Sequence, residues 1–450
     1  MAERIAIVGA SLAGLRAAEA MRATGWVGEL HLIGDEEHLP YDRPPLSKQV
    51  LTGWIDADAE HLRLPRLADL GDVRWHLGDG AVALDRDRQE VVLASDTRVG
   101  FDRLLITTGV RNRPWPHPDQ AALDGVIGLR TAGDAARLRA ALDASPVRVL
   151  VVGGGFTGAE VASASRGRGV EVTLVERGDA PLVGALGATL GEVTKAMHLE
   201  HGVDLRCHTT VEALEGADGR LRAAVLSDGT TVEADVAVIA QGSVRNTEWL
   251  AGSGLLADER GVTTDAGGRA FGVNDLVTDD VFAAGDVARF PHPLFDHRFL
   301  SFEHWANAVL GGEVVGRNMV CRAADRRAHL AVPLVWSMQF GVGIKVAGVP
   351  QLADEVVIAQ GSTDDRSFVA AYGRDGTIVG AVAFDHARWI SRYRNLIAER
   401  APVPAPVGEA ADHPVVAPAD FPHPSATSHA SGVVVSGHSP TELDATPVGR

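Results

Sequence analysis

The chain has 450 residues, 46 % of them hydrophobic and 22 % charged, with a formal net charge of −17. That length exceeds one ordinary core and predicts two or three domains. The acidic balance argues against nucleic acid, whose phosphates need a basic face, and against a polybasic membrane contact.

In chain order, residues 4–9 alternate apolar side chains and end on Gly9, the pattern of a buried strand. Leu15, Ala18 and Met21 recur at helical spacing over residues 12–24, Gly25 stops that helix, and residues 29–33 form the next strand. No basic leader precedes the first strand, and no apolar run approaches the ~18 residues of a membrane helix. Residues 90–93 and 103–107 read as strands. Residues 124–142 hold a strand and an Ala-rich helix. The opening plan then repeats as a strand over 147–152, a helix over 157–168 and a strand over 171–175, a domain-scale duplication.

Residues 230–242 end in a buried strand, and residues 279–288 are strand-like before Gly285-Asp286. Shorter strands follow at 335–340, 356–360, 368–372 and 378–384, and a helix carrying Trp389, Tyr393 and Leu396 closes the region. Nine of the 22 prolines fall in the last fifty residues, where no periodic apolar face survives. That composition predicts a disordered tail over 401–450. Its His413, His423, His429 and His438 are spaced too widely for a metal site. Only Cys207 and Cys321 are present, which argues against a disulfide framework, reads as two small buried apolar residues, and makes the cytoplasm the expected compartment.

Both repeats carry a phosphate-binding turn. A helix N-terminus offers unpaired N–H groups to a pyrophosphate, and glycine lets the backbone approach it closely. The first turn is Gly9-x-Ser11-x-x-Gly14, with Asp35 as the acid for the adenosine ribose. The second is Gly153-x-Gly155-x-x-Gly158, with Glu176 in that place. A carboxylate at 176 accepts from a ribose 2′-hydroxyl and repels a 2′-phosphate, so NADH is preferred over NADPH, although the adjacent Arg177 is of the kind that meets a phosphate.

Residues 38–48 (HLPYDRPPLSK), Thr107–Gly109, Ala283–Ala288 (AAGDVA), Glu303–Ala308 (EHWANA) and Val332–Gly341 (VPLVWSMQFG) together resemble the FAD-dependent ferredoxin reductases. The likeness runs from about Ile5 to Leu396. It implies an α/β fold similar to glutathione reductase. An FAD-binding domain in two segments (1–115 and 243–325) encloses an NAD-binding domain (116–242), and a C-terminal α+β domain (326–400) follows.

Carried over by resemblance, Gly9, Ser11, Ala13 and Gly14 hold the FAD pyrophosphate and Asp35 its ribose. Val82 meets adenine, Arg43, Thr108, Gly109 and Arg130 contact FAD, and Asp286 takes the ribityl chain. Gly153, Gly155, Thr157, Gly158 and Gly242 belong to the NAD site. Lys48 lies beside flavin N5, where a positive charge favours the reduced ring, and Glu160 pairs with it. Trp305 and Trp336 lie near the flavin or nicotinamide.

The same resemblance implies hydride transfer from NADH to FAD and single-electron transfer to an iron–sulfur ferredoxin that supplies an oxygenase. Flavin joins a two-electron donor to a one-electron acceptor. Two alternatives stay open: an NADH oxidase or diaphorase, and a slow FAD/NADH-binding redox scaffold. The stretch before Lys48 has no cysteine, which disfavours a flavin-proximal dithiol. Ferredoxins are usually acidic, so a local basic patch is needed to receive one, and Arg289 and Arg298 are the candidates. Met338 stands where relatives often carry an acid, and residues 240–246 (AQGSVRN) depart from the usual glycine-rich form.

Overall fold

The computed structural model describes residues 4–64, 70–144 and 148–404, with the backbone of Val416–Pro418 and Val433–Val435. Arg4–Val8, four of its five residues buried, lies between two parallel strands, Glu29–Ile33 and Arg103–Ile106. Val73–His76 extends this sheet beyond Glu29–Ile33. On the other side Val277–Ala283 returns from far along the sequence to pair in parallel with Arg103–Ile106. This first unit is therefore discontinuous in sequence, because its sheet is not completed by the opening segment alone.

Helix Leu12–Ala23 packs Leu15, Ala18 and Met21 into the core above this sheet. Helix Trp305–Val320 crosses it at very close range. A Cβ at Gly312 would lie 2.5 Å from the Ala13 carbonyl oxygen, and one at Gly316 would overlap Ala17, so the two glycines set that approach.

The second unit builds an all-parallel sheet in the order Asp204–Arg206, Glu171–Val175, Arg148–Val152, Val236–Ile239, Val126–Gly128. Its two central strands, Arg148–Val152 and Val236–Ile239, are buried apolar runs, as parallel strands covered on both faces require. Helix Phe156–Gly167 follows the glycine turn, and helix Ala132–Asp143 starts on a capping box between Thr131 and Asp134.

The third unit is an antiparallel sheet of Leu334–Gln339, Val342–Gly348, Thr377–Phe384, Ser367–Arg374 and Glu355–Ser362, closed by helix Ile390–Ala398. Three of the elements that were not expected have a local reason. Val342–Gly348 carries two glycines and Lys345, which blur its alternation. Helix Val183–Glu200 is broken at Gly187, where φ is 77°. The hairpin Val211–Ala217 with Arg220–Leu226 is bulged at two points, which disturbs the period of two.

Within the tail, Val416–Pro418 pairs with Glu355–Val357, and Val433–Val435 pairs with Leu300–Phe302, so these two short pieces depart from the expectation of a patternless tail. The rest, with the four tail histidines, lies outside the described residues. Cys207 and Cys321 are half-buried free thiols rather than buried core residues.

Candidate active site

The helix behind Gly9 starts at Ser11 with no side-chain cap, so its first-turn N–H groups face the cleft without an intramolecular partner from that side chain. Gly9 has φ 121°, and a Cβ there would overlap the Thr107 carbonyl. Gly14 lines neither cavity of the cleft, and a Cβ on it would overlap the Gly9 carbonyl, so its bare Cα lets helix and strand pack closely.

Two joined cavities follow. One of 460 Å³ is lined by Gly9, Ser11, Asp35, Arg43, Val82 and Thr108. It continues past Asp35 and Thr108 into one of 350 Å³ that reaches Ala13, Lys48, Gly109, Arg130, Thr157, Glu160, Asp286, Trp305 and Trp336. A glycine cradle, an uncapped helix start and an exposed Asp35 at the end of the second strand fit a dinucleotide's pyrophosphate and ribose. The residues present thus suit FAD.

Glu36, Tyr41 and Asn246 also line the cleft and were not among the expected site residues. Arg43 donates to the Arg130 carbonyl at 2.9 Å and pairs with Glu36, which also accepts from Tyr41 Oη at 2.6 Å. Tyr41 Oη accepts from the Ala132 amide, and burial pushes its phenol up to about 12. This group ties the first domain to the start of the second. Asn246 Nδ2 donates to the Thr108 carbonyl at 2.8 Å, and Thr108 Oγ1 donates to the Asn246 carbonyl at 2.8 Å. Ser243–Arg245 pairs with Val110–Asn112. The unusual segment at 240–246 therefore clamps the flavin-side loop. Asp286 pairs with Arg130 at 3.3 Å, and burial raises its carboxyl above the ordinary range against the pull of that arginine.

At the inner end, Lys48 Nζ meets Glu160 Oε2 at 2.8 Å, with Glu160 6 % exposed. Ser47 Oγ donates to the same oxygen at 2.5 Å, and Ser337 Oγ donates to Glu160 Oε1 at 2.7 Å. Trp305 and Trp336 meet edge-on with centroids 5.6 Å apart, and Trp305 Nε1 donates to Asp42 Oδ1 at 2.7 Å. Burial raises the Asp42 carboxyl, and the indole N–H opposes that shift. Met338 is half exposed and lines neither cavity, so it puts no side chain into the cleft.

The second turn lies at the carboxyl ends of the strands of its sheet, directly after the central strand Arg148–Val152. Gly153 has φ 104°, a Cβ on Gly158 would overlap the Gly153 carbonyl, and Gly155 begins the helix with no side-chain cap. Glu176 accepts from the Gly154 and Gly178 amides, both at 2.7 Å. Gly242, φ 104°, follows strand Val236–Ile239. Gly153, Gly155, Gly158, Glu176 and Gly242 do not line the two cavities. From the same helix, Thr157 and Glu160 do. An uncapped turn with a fixed carboxylate fits NAD(H) arriving at this end of the sheet.

One of the two expected docking arginines is corrected. Arg289 is 3 % exposed, stacks on Phe299 at 5.1 Å, and is pushed down to about 10 by burial and by nearby Arg260. Arg298 is half-buried in strand Arg298–Phe302. A buried guanidinium cannot present charge to a partner, so Arg289 is excluded from docking.

Comparison with known proteins agrees with this geometry. Residues 3–312 match the pyridine nucleotide-disulphide oxidoreductase family, and residues 334–415 match the reductase C-terminal domain. The chain is 35 % identical to rhodocoxin reductase of Rhodococcus erythropolis, covering 81 % of this chain and 82 % of that protein. It is 33 % identical to the ferredoxin–NAD(+) reductase subunit of the benzene 1,2-dioxygenase system of Pseudomonas putida, covering 86 % and 90 %. A crystal structure of the covalent putidaredoxin reductase–putidaredoxin complex superposes with a TM-score of 0.82 at 29 % identity, covering 89 % of this chain and 94 % of that one. Although the family is named for disulphide chemistry, Cys207 and Cys321 line neither cavity of the cleft. With two dinucleotide turns converging on one buried lysine–glutamate pair, this chain belongs to the pyridine nucleotide-disulphide oxidoreductase family, among its FAD-dependent ferredoxin reductases.

Proposed function

We propose that this protein is a ferredoxin reductase that takes a hydride from NADH and delivers single electrons to a small iron–sulfur ferredoxin serving an oxygenase. The observation that carries the reading is the Lys48–Glu160 pair, set where the first cleft meets the helix of the second turn. When bound, FAD supplies the conversion from a two-electron donor to a one-electron acceptor. The chain supplies the rest. The Gly9 turn and Asp35 bind the dinucleotide, Asp286 and Arg130 line its middle, and Lys48 places a cation at the inner end.

Trp305 and Trp336 wall this end and exclude water from it. Glu176, held by two backbone amides, keeps a fixed negative charge beside the second turn and supports NADH over NADPH. The reaction is assigned to the cytoplasm on the strength of two uncrosslinked cysteines. Among the described residues no helix is long and apolar enough to cross a membrane.

The test is anaerobic stopped-flow mixing of the purified protein with NADH or NADPH, then with a purified ferredoxin. Rapid bleaching by NADH and recovery of colour on adding oxidised ferredoxin are expected. Recovery with oxygen as fast as with ferredoxin would turn the reading into an NADH oxidase.

A further inference from the structure

The two oxygens of Glu160, itself in the NAD-binding domain, are held from the other two domains. Oε2 receives Lys48 and Ser47 from the FAD-binding domain. Oε1 receives Ser337, which arrives from the C-terminal domain 177 residues away in sequence. Behind Ser337, Gln339 Nε2 donates to its hydroxyl oxygen at 3.0 Å, which directs the serine proton toward Glu160. Ser337 is 2 % exposed and Gln339 is fully buried, whereas Met338 between them is 50 % exposed. The period of two along Leu334–Gln339 thus sends 337 and 339 inward and 338 outward.

The strand is locked in this position by contacts just beyond it. The Phe340 amide donates to Ser163 Oγ at 2.7 Å, and the Phe340 ring stacks on His201 at 4.3 Å and meets His198 edge-on at 5.0 Å. Tyr372 Oη donates to the Leu186 carbonyl. The C-terminal domain is therefore registered on the NAD-binding domain at several independent points, and Ser337 cannot drift from Glu160 without breaking them.

We infer that Ser337, backed by Gln339, is a positioning residue for the reductive step. A carboxylate's last torsion is soft and close to two-fold, so one anchored oxygen does not fix its plane. Lys48 sits on a flexible four-carbon stem and follows the carboxylate it is paired with. The serine supplies the second anchor. It holds Glu160 flat between the domains and, through it, keeps the ammonium aimed at the inner end of the cleft. The inference rests on the proposed function, and it assigns to the C-terminal domain a share in setting the cation that faces the flavin.

The test compares full-length, FAD-loaded Ser337→Ala, Ser337→Thr and Gln339→Leu with the parent. The readouts are the limiting rate of flavin bleaching by NADH, the apparent NADH Kd and the flavin midpoint potential. Ser337→Ala should bleach ~10-fold more slowly with an NADH Kd within about twofold of the parent, the size expected for a displaced group away from the reacting atoms. Its midpoint potential should move in the negative direction, because a wandering cation stabilises the reduced ring less. Ser337→Thr, which keeps the hydroxyl, should restore both readouts, and Gln339→Leu should move both the same way by less. A bleaching parent beside an unaltered Ser337→Ala, or a Ser337→Thr as impaired as the alanine, overturns the inference alone. If Ser337→Ala does not fold, an unaltered rate and potential in Gln339→Leu overturns it. A parent that NADH leaves yellow overturns the proposed function and this inference together.

Discussion

The turns at Gly9 and Gly153 begin alike, each with a buried parallel strand and an uncapped helix, and they diverge at the acid. Asp35 stands exposed in the wall of a cleft that the discontinuous domain encloses. Glu176 has both oxygens engaged by backbone amides at the carboxyl end of an inner strand and lines neither cavity. Around the first turn Arg43, Tyr41, Glu36, Thr108 and Asn246 tie loops together. One motif thus stands in two settings, a walled cleft at the first turn and, at the second, a turn whose glycines line neither cavity.

The strongest way to break this comparison is to block each turn. Gly9→Ala places a Cβ into the Thr107 carbonyl at positive φ, which costs on the order of 3 kcal/mol, and should yield colourless protein that does not retain FAD. Gly158→Ala should instead yield yellow protein whose NADH Kd, from titration under anaerobic conditions, rises beyond measurable range. Loss of flavin from both variants would show that the two turns are not separable.

Next in size is the shared pair. Lys48→Met strands a buried carboxylate, a loss of about 3–5 kcal/mol for a broken buried pair, and should slow bleaching roughly 100-fold while FAD stays bound. A rate within threefold of the parent would remove Lys48 from the reaction.

A smaller effect sharpens the contrast between the acids. Glu176→Gln should narrow the NADH to NADPH preference in kcat/KM by about 10-fold, leaving FAD content unchanged. Asp35→Asn should do the reverse, weakening FAD retention and leaving the nucleotide preference intact.

The mildest test is acid. Burial pushes His292 down to about 3 and His329 to about 4 on the FAD side, and His198 to about 4 on the NAD side. Each is neutral when folded and binds a proton on unfolding once the pH lies below its ordinary value near 6.5. The stabilisation is complete above that value and falls away as the pH drops toward 4, by at most ~1.4 kcal/mol per pH unit for each group. Melting curves at pH 7 and pH 5 should show the FAD side weakening more steeply, and His292→Gln should flatten its share. Equal slopes in parent and variant would discard that assignment.

The parts of the site that follow a chain-local rule were legible in sequence. A glycine turn between strand and helix is written within a dozen residues, and Lys48 and Glu160 stand in recognisable stretches. Ser47, Ser337 and Gln339 lie in stretches that carry the resemblance, but nothing local gives them a role until folding gathers them around Glu160. Asn246 is of the same kind, and its segment could be seen as unusual but not explained. Arg289 failed for the opposite reason. Charge suggested a surface, but its strand Ala288–His292 lies inside the fold, where the guanidinium rests on Phe299. Helix Val183–Glu200 was hidden by a glycine break within it.

The split of the first sheet across the sequence also sets an order of events during synthesis. Strand Val277–Ala283 and the helix that opens at Trp305 leave the ribosome only after the whole 116–242 unit has emerged. That middle unit is contiguous and has its five parallel strands in hand while the opening strand Arg4–Val8 still lacks its full set of neighbours. Until that late chain is made, the sheet beneath the first glycine turn lacks one of its inner neighbours, so this turn gains its complete support only after the second has all of its strands in place.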